Sequence, residues 1–301
     1  MDASVTREKS LLGFGDGAGL AVPVLGGEAR ETLFGGLARA GRAGGFALHA
    51  SADWLVGVRV EPITERLGAR TEALYAELLE VCAARGREVA RIWNYVPGIN
   101  EVGAEAMEAY RVFCLGRAAG FERAGWRGPV PAASAVGGPE GMIGVMFAAA
   151  RERPEAMENP DQVPAYEYPP EHGPRSPSFS RAMRVRADGR RWTFVSGTAA
   201  IKGHATVAAD SLAGQIDCTL DNLRLISGAC GLGGDLGAER AAERHFKVYL
   251  RHAGDLAATR AALVGRLLRP EDRVTWLRSD ICRAALKLEI EATVIEQVAA
   301  D

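Results

Sequence analysis

The sequence predicts an α+β fold, and three observations in its second half carry that prediction. Two extended runs flank Asp188-Gly189, a dipeptide that favours a tight hairpin turn. After Asp210, Leu212, Ile216, Leu220, Leu223 and Ile226 recur at the spacing of one helix face. The run 245–251 then alternates, with Phe246, Val248 and Leu250 on one side and Lys247, Tyr249 and Arg251 on the other.

Taken in order, the glycine-rich start, residues 13–45, reads as loops and short strands. Its Gly13-Phe14-Gly15 and Gly26-Gly27 lack the strand-to-helix spacing of a dinucleotide fingerprint. Leu74, Leu78 and Val81 predict a helix over 71–85. A strand follows over 87–96 and ends at Pro97. Residues 104–123 read as a second helix and 142–150 as an apolar strand. The stretch 151–178 holds seven of the 14 prolines, which resist regular structure, so a boundary is placed near residue 165. This gives two domains, 1–165 and 166–301, as a chain of 301 residues suggests. The second half continues with a hairpin over 179–187 and 190–200, the helix after Asp210 and the strand 245–251. A helix over 255–268 stops before Pro270, and strands span 274–281 and 286–295. The order is β-β-α-β-α-β-β, a sheet with helices on one face. No internal repeat is visible in the sequence.

Composition narrows the function classes. Basic residues number 36 and acidic residues 38, a net charge of −2, which argues against a coat for nucleic acid or for an anionic membrane. No run reaches a membrane span, and residues 1–10 lack the apolar core of a secretory signal, so a cytoplasmic protein is expected. The five cysteines, Cys82, Cys114, Cys218, Cys230 and Cys282, form no CxxC pair and predict free thiols. The five histidines form no HxxxH or HxH pair, so neither a transition-metal site nor any other cofactor is expected.

The closing strand carries the candidate chemistry. Leu286, Leu288 and Ile290 would face the helices, leaving Lys287, Glu289 and Glu291 on the other face with Tyr249 and Arg251. That face is either wetted surface or the wall of a cleft lined by carboxylates, cations and a tyrosine.

Ser196-Gly197-Thr198-Ala199-Ala200, Phe246-Lys247-Val248-Tyr249-Leu250 and Leu288-Glu289-Ile290-Glu291-Ala292 resemble, in that order, the Rid (YjgF-like) fold over about residues 180–295. A narrower resemblance covers most of the chain. Arg91-Ile92-Trp93-Asn94-Tyr95-Val96-Pro97-Gly98-Ile99-Asn100 resembles a chorismatase motif, as does Tyr110-Arg111-Val112-Phe113-Cys114-Leu115-Gly116-Arg117. So do the segment from Arg175 to Ala182, Ser196 to Ile201 with Gly203-His204, and Asp280-Ile281-Cys282-Arg283. The resemblance implies two Rid-like domains, with the site in the C-terminal one near the interface. It implies a reaction that removes pyruvate from chorismate without cofactor or metal.

Under that resemblance, Glu289 holds the position of the acid that protonates the enol ether. Two substrate carboxylates call for arginine forks, with Arg111, Arg117 and Arg251 as candidates and Arg283 and Arg278 behind them. Tyr95 and Tyr110 are candidate hydrogen-bond donors, and Thr198 and Ala199 are assigned to the substrate wall. Gly197 and Cys282 resemble the subgroup that forms 3-hydroxybenzoate through an arene oxide, whereas the hydrolytic subgroup carries alanine at both places. The implied partner is a small molecule, chorismate, bound by a monomer or homotrimer. The ratio of 3- to 4-hydroxybenzoate is left open at this point, and the alternatives are hydrolysis to a dihydroxycyclohexadiene carboxylate, a Rid-type imine hydrolase, and a non-enzymatic small-molecule-binding protein.

Overall fold

The computed structural model describes residues 22–28, 31–63 and 66–298. The Gly13-Phe14-Gly15 reading and the N-terminal signal reading fall outside them. The first half comprises β1 (Val24–Gly26), β2 (Ala38–Ala43), β3 (Phe46–Ala50), β4 (Trp54–Pro62), α1 (Leu67–Ala83) and β5 (Glu88–Pro97), followed by α2 (Ala109–Arg123), β6 (Ala132–Gly138) and β7 (Met142–Ala150). After β8 (Glu155–Met157) and two short 3-10 turns come β9 (Ala182–Ala187), β10 (Arg190–Thr198), β11 (Ile201–Lys202), β12 (Ala205–Thr206) and α3 (Leu212–Ala229). The chain closes with β13 (Ala242–Leu250), α4 (Leu256–Leu263), β14 (Arg273–Arg278) and β15 (Leu288–Gln297).

One large sheet has the order β2-β3-β4-β7-β5-β6 and a second β1-β14-β13-β15-β10-β9-β8, while β11 and β12 form a separate two-stranded hairpin. Within them, β3-β4-β7-β5-β6 and β9-β10-β15-β13-β14 share one connectivity, each ending in a parallel pair reached through a helix. The α+β class is therefore present twice, although no repeat is visible in the sequence. Packing can preserve a topology while the residues that fill it change. The crossing from one sheet to the other follows Ala150, and β1 returns from the N-terminal segment to pair with β14.

Four layers result. One apolar cluster joins the first sheet to α1 and α2, through Leu74, Leu78, Phe113 and Phe147. Another joins the second sheet to α3 and α4, through Ile216, Leu223, Leu263 and Val248. A third lies between the sheets and is rich in aromatics, with Trp54 and Trp192 ring centroids 5.1 Å apart. The polar face of β15 is consequently neither surface nor open cleft along most of its length, because the first sheet covers it.

Two local devices set up the cavity described below. Gly116 and Gly120 let α2 lie against α1, since a Cβ at Gly116 would stand 2.3 Å from the Gly68 carbonyl oxygen and one at Gly120 2.6 Å from Tyr75 Cβ. Tyr110, Arg111 and Arg117 of α2 line the cavity. The register of β10 against β15 shifts between Val195 and Thr198, a bulge of the kind that re-aims side chains beside functional sites. At the bulge, Ser196 Oγ donates to the Ser180 carbonyl and accepts from Ala133 N–H, tying β10 to β6.

Several boundaries differ from those expected. The helix expected over 255–268 is α4 and ends at Leu263, because Val264 turns extended and bridges to Leu268. The helix expected from 104 starts at Ala109. Strand β6, Ala-Ala-Ser-Ala-Val-Gly-Gly, was not expected, because its small residues carry no alternation to read.

Candidate active site

A cavity of about 510 Å³ opens where the two halves meet. Helix α2 contributes Tyr110, Arg111 and Arg117; β6 contributes Ala133, Ser134 and Ala135. The segment before β9 adds Tyr168, His172, Phe179 and Arg181. The second half supplies Gly197, Ala199, Cys282, Arg283 and Glu289. All of these come from a single chain, and both halves contribute to the lining.

Glu289 is 3% exposed, and its buried Oε1 has no hydrogen-bond partner. Burial raises its pKa to about 8, and the charge of Glu291 adds to the shift. Glu291 lies two residues on along the same face in a different environment. Arg91 Nη2 donates to it at 2.6 Å, Trp93 Nε1 at 2.7 Å and Ser134 Oγ at 2.5 Å, with Lys247 Nζ at 3.4 Å. Burial opposes its ionisation, but Arg91 and Lys247 outweigh burial and hold Glu291 below the usual carboxylate range. Two neighbouring carboxylates are thereby split into a fixed anion and a neutral acid, a division typical of acid catalysis.

The acid is shaped by its neighbours. A Cβ at Gly197 would stand 1.9 Å from Glu289 Oε1, so the glycine makes room for the carboxyl itself. Cys282 lines the cavity as a neutral thiol, since burial and then the Glu289 charge push its pKa up to about 12. It is an apolar wall rather than a nucleophile.

Arg117 is 1% exposed, lies over the Phe113 ring at 5.1 Å, and interacts with Cys114 Sγ at 3.9 Å and with the Tyr75 hydroxyl, while its Nε is unpartnered. Arg181, 6% exposed, donates to Tyr168 Oη and the Val163 carbonyl, and its Nε is also unpartnered. Among the described residues neither has a carboxylate at ion-pair distance. A buried cation without an anion is costly, and facing a cavity it is poised for an anionic ligand.

Tyr110, Arg111, Ala199 and Arg283 also line this cavity. Arg283 is partly committed, donating to the His204 carbonyl and Thr206 Oγ1. Three expected residues lie elsewhere. Tyr95 sits between the sheets with its hydroxyl 3.2 Å from that of Tyr249. Arg251 is consumed by Asp280, Asn100 and the carbonyls of Leu286, Ile281 and Arg283, which makes it a structural clamp. Thr198 is buried and donates to the Ser196 carbonyl. The weaker candidate Arg278 lies 3.7 Å from Asp280, also outside the cavity. Sequence reasoning missed Arg181, although it stands in the quoted segment Arg175 to Ala182 immediately before β9.

The absence of closely spaced histidines predicted no metal site. Folding nevertheless brings Glu171, His172 and His204 together, with one potential ligand atom of each within 4.8 Å of the others. Among the described residues no helix is long and apolar enough to cross a membrane.

Comparison with known proteins gives a consistent result. Residues 34–149 match the family model described as "Chorismatase FkbO/Hyg5-like, N-terminal". A chorismatase of Streptomyces rapamycinicus is 39% identical over 260 residues, covering 83% of this chain and 77% of that protein. A 3-hydroxybenzoate synthase of Streptomyces hygroscopicus is 37% identical over 244 residues, covering 78% of this chain and 72% of its own. A crystal structure of a chorismatase superposes with a TM-score of 0.78 at 36% identity, covering 84% of this chain and 78% of that one.

Proposed function

This chain belongs to the chorismatase family, and on that footing we propose that it converts chorismate to 3-hydroxybenzoate and pyruvate in the cavity around Glu289. One observation carries the reading. A buried acid with a pKa of about 8 shares a cavity with two buried arginines that, among the described residues, have no carboxylate at ion-pair distance. Chorismate supplies what this arrangement lacks: two carboxylates for the guanidinium groups and an enol ether that cleaves on protonation.

Glu289 gives its proton to the methylene carbon of the enolpyruvyl group. The ring–oxygen bond then breaks, and its electron pair passes into the new carbonyl of pyruvate. The hydroxyl on the adjacent ring carbon closes onto the vacated carbon and sheds a proton, which balances the one Glu289 supplied. The resulting arene oxide opens and aromatises. Chorismate less pyruvate is hydroxybenzoate, so the sequence consumes neither water nor redox equivalents. Phe179, Ala133, Ala135, Ile201 and Cys282 form an apolar wall that keeps water from competing with the internal hydroxyl.

Incubation with chorismate, followed by chromatography and a pyruvate assay, tests the reading. Equal amounts of 3-hydroxybenzoate and pyruvate are expected; pyruvate with a dihydroxycyclohexadiene carboxylate would assign the hydrolytic route instead. Gly197→Ala must push the Glu289 carboxyl aside, so turnover is expected to fall by roughly ten- to a hundredfold, the scale of a small misplacement of reacting groups. Cys282→Ala opens the wall beside the acid, and the double variant is expected to shift product toward the diol. Unchanged rate and product ratio in the double variant would remove both residues from control of the reaction.

The pH profile follows from the direction of the Glu289 shift. The competent form is protonated, so kcat/KM, which reports the free enzyme, is expected to be level below about pH 8 and to fall tenfold per unit above it. Stability carries the same sign. The folded pKa lies above the unfolded value, so the stabilising contribution is complete below the ordinary carboxylate range and is lost as pH rises through about 8. Denaturant titrations across that range should show the decline in wild type and a flatter profile in Glu289→Gln.

A further inference from the structure

We propose that Glu171, His172 and His204 form a binding site for a divalent transition-metal ion of the zinc class, set in the rim of the cavity. Two backbone segments distant in sequence build it. Glu171 and His172 close the 3-10 turn Pro170–His172, and His204 follows Gly203 at the tip of the β11–β12 hairpin. The three potential ligand atoms form a compact triangle. His172 Nε2 lies 2.9 Å from His204 Nδ1, and Glu171 Oε1 lies 3.5 Å from the first and 3.4 Å from the second. A tetrahedral ion with ligands at about 2.0–2.2 Å requires ligand atoms about 3.3–3.6 Å apart. Two edges already match, and the third needs to open by only a few tenths of an ångström.

The surroundings hold the ligands in place. The hairpin tip is fixed by the Gly203 N–H donating to the Asp161 carbonyl and by the Gly203 carbonyl accepting from Val163 N–H. Arg283 Nη1 donates to the His204 carbonyl, which fixes the backbone that carries that ring. Tyr168 packs against both imidazoles, with ring centroids 5.2 Å from His172 and 6.3 Å from His204. Two nitrogens and one carboxylate oxygen form a donor set suited to zinc and its neighbours rather than to magnesium or calcium, which favour all-oxygen shells. Ligation requires each imidazole to carry its proton on the nitrogen away from the ion. The ion would clasp the 170–172 turn to the hairpin. Glu171 and His172 line the cavity on one side of that clasp, and Ala205 and Thr206 line it on the other. Nothing in the proposed acid chemistry uses the ion, so its role is to hold the rim.

Calorimetric titration of chelator-stripped protein with zinc chloride tests the site. One ion per chain is expected, with no comparable binding of magnesium. His204→Asn and the variant of the exposed carboxylate, Glu171→Gln, should each weaken binding at least tenfold while the far-ultraviolet circular dichroism stays unchanged. Cobalt substitution should show d–d bands without an intense thiolate charge-transfer band, which separates this site from the cysteines. Zinc binding of equal strength in wild type and both variants, a thiolate band in the cobalt protein, or no saturable binding would each overturn the proposal.

Discussion

Glu289→Gln is expected to lower chorismate turnover by about 10²- to 10⁴-fold, the contribution of a positioned general acid. The amide keeps the shape of the side chain and a hydrogen-bond donor but has no proton to give. The substitution is well tolerated by the surroundings, because Glu289 is already neutral at physiological pH. Folding should therefore be unimpaired, and chorismate should still bind to the inactive variant. Stopped-flow binding together with steady-state turnover checks both halves. Near-normal turnover would exclude Glu289 as the acid. A loss confined to KM would make it a binding group. Glu291→Gln should behave differently, since it leaves Arg91 and Lys247 facing a neutral group and removes the charge that helps keep Glu289 protonated.

The second large effect is expected at Arg117. Arg117→Met should weaken chorismate binding by about 2–4 kcal/mol, the usual result of truncating one partner of a buried charge pair. That corresponds to a KM rise of roughly 30- to 1,000-fold. Stability of the free protein should be unchanged or raised, because among the described residues this buried guanidinium has no carboxylate at ion-pair distance to offset its desolvation. A higher KM with an undiminished Tm separates a ligand-binding arginine from a structural one. Arg251→Met gives the contrast: its guanidinium serves Asp280, Asn100 and three carbonyls, so the expected result is lost stability. An unchanged KM for Arg117→Met would move the carboxylate to Arg181 or Arg111.

The division of β15 into an apolar and a polar face is fully legible in the sequence, because period-2 alternation is local. What lies opposite the polar face is not. Glu289 and Glu291 read alike in the sequence, yet one meets Arg91, Trp93 and Ser134 from the other sheet while the other meets a cavity. Those partners are 157 to 200 residues away along the chain. The same limit explains the misassigned residues. Tyr95 lies on a strand whose motif pointed to the site, but its side chain enters the inter-sheet core. Arg251 is aligned with Tyr249 on the expected face, but the loop after β14 folds back and takes its donors. Glu171, His172 and His204 carry no spacing signal because His172 and His204 are 32 positions apart, with β9, β10 and β11 between them. The small residues of β6 hide from periodicity because they carry no alternation of apolar and polar side chains.

The central claim is that an acid and the substrate's own hydroxyl, without water, carry out the reaction. Turnover of chorismate in water enriched in oxygen-18, with mass spectrometry of the ring-containing product, tests it most directly. The account expects unlabelled 3-hydroxybenzoate, formed in step with pyruvate, because the phenolic oxygen comes from the ring hydroxyl of chorismate. A ring product carrying one oxygen-18 would contradict it and show that water enters this cavity and attacks the ring.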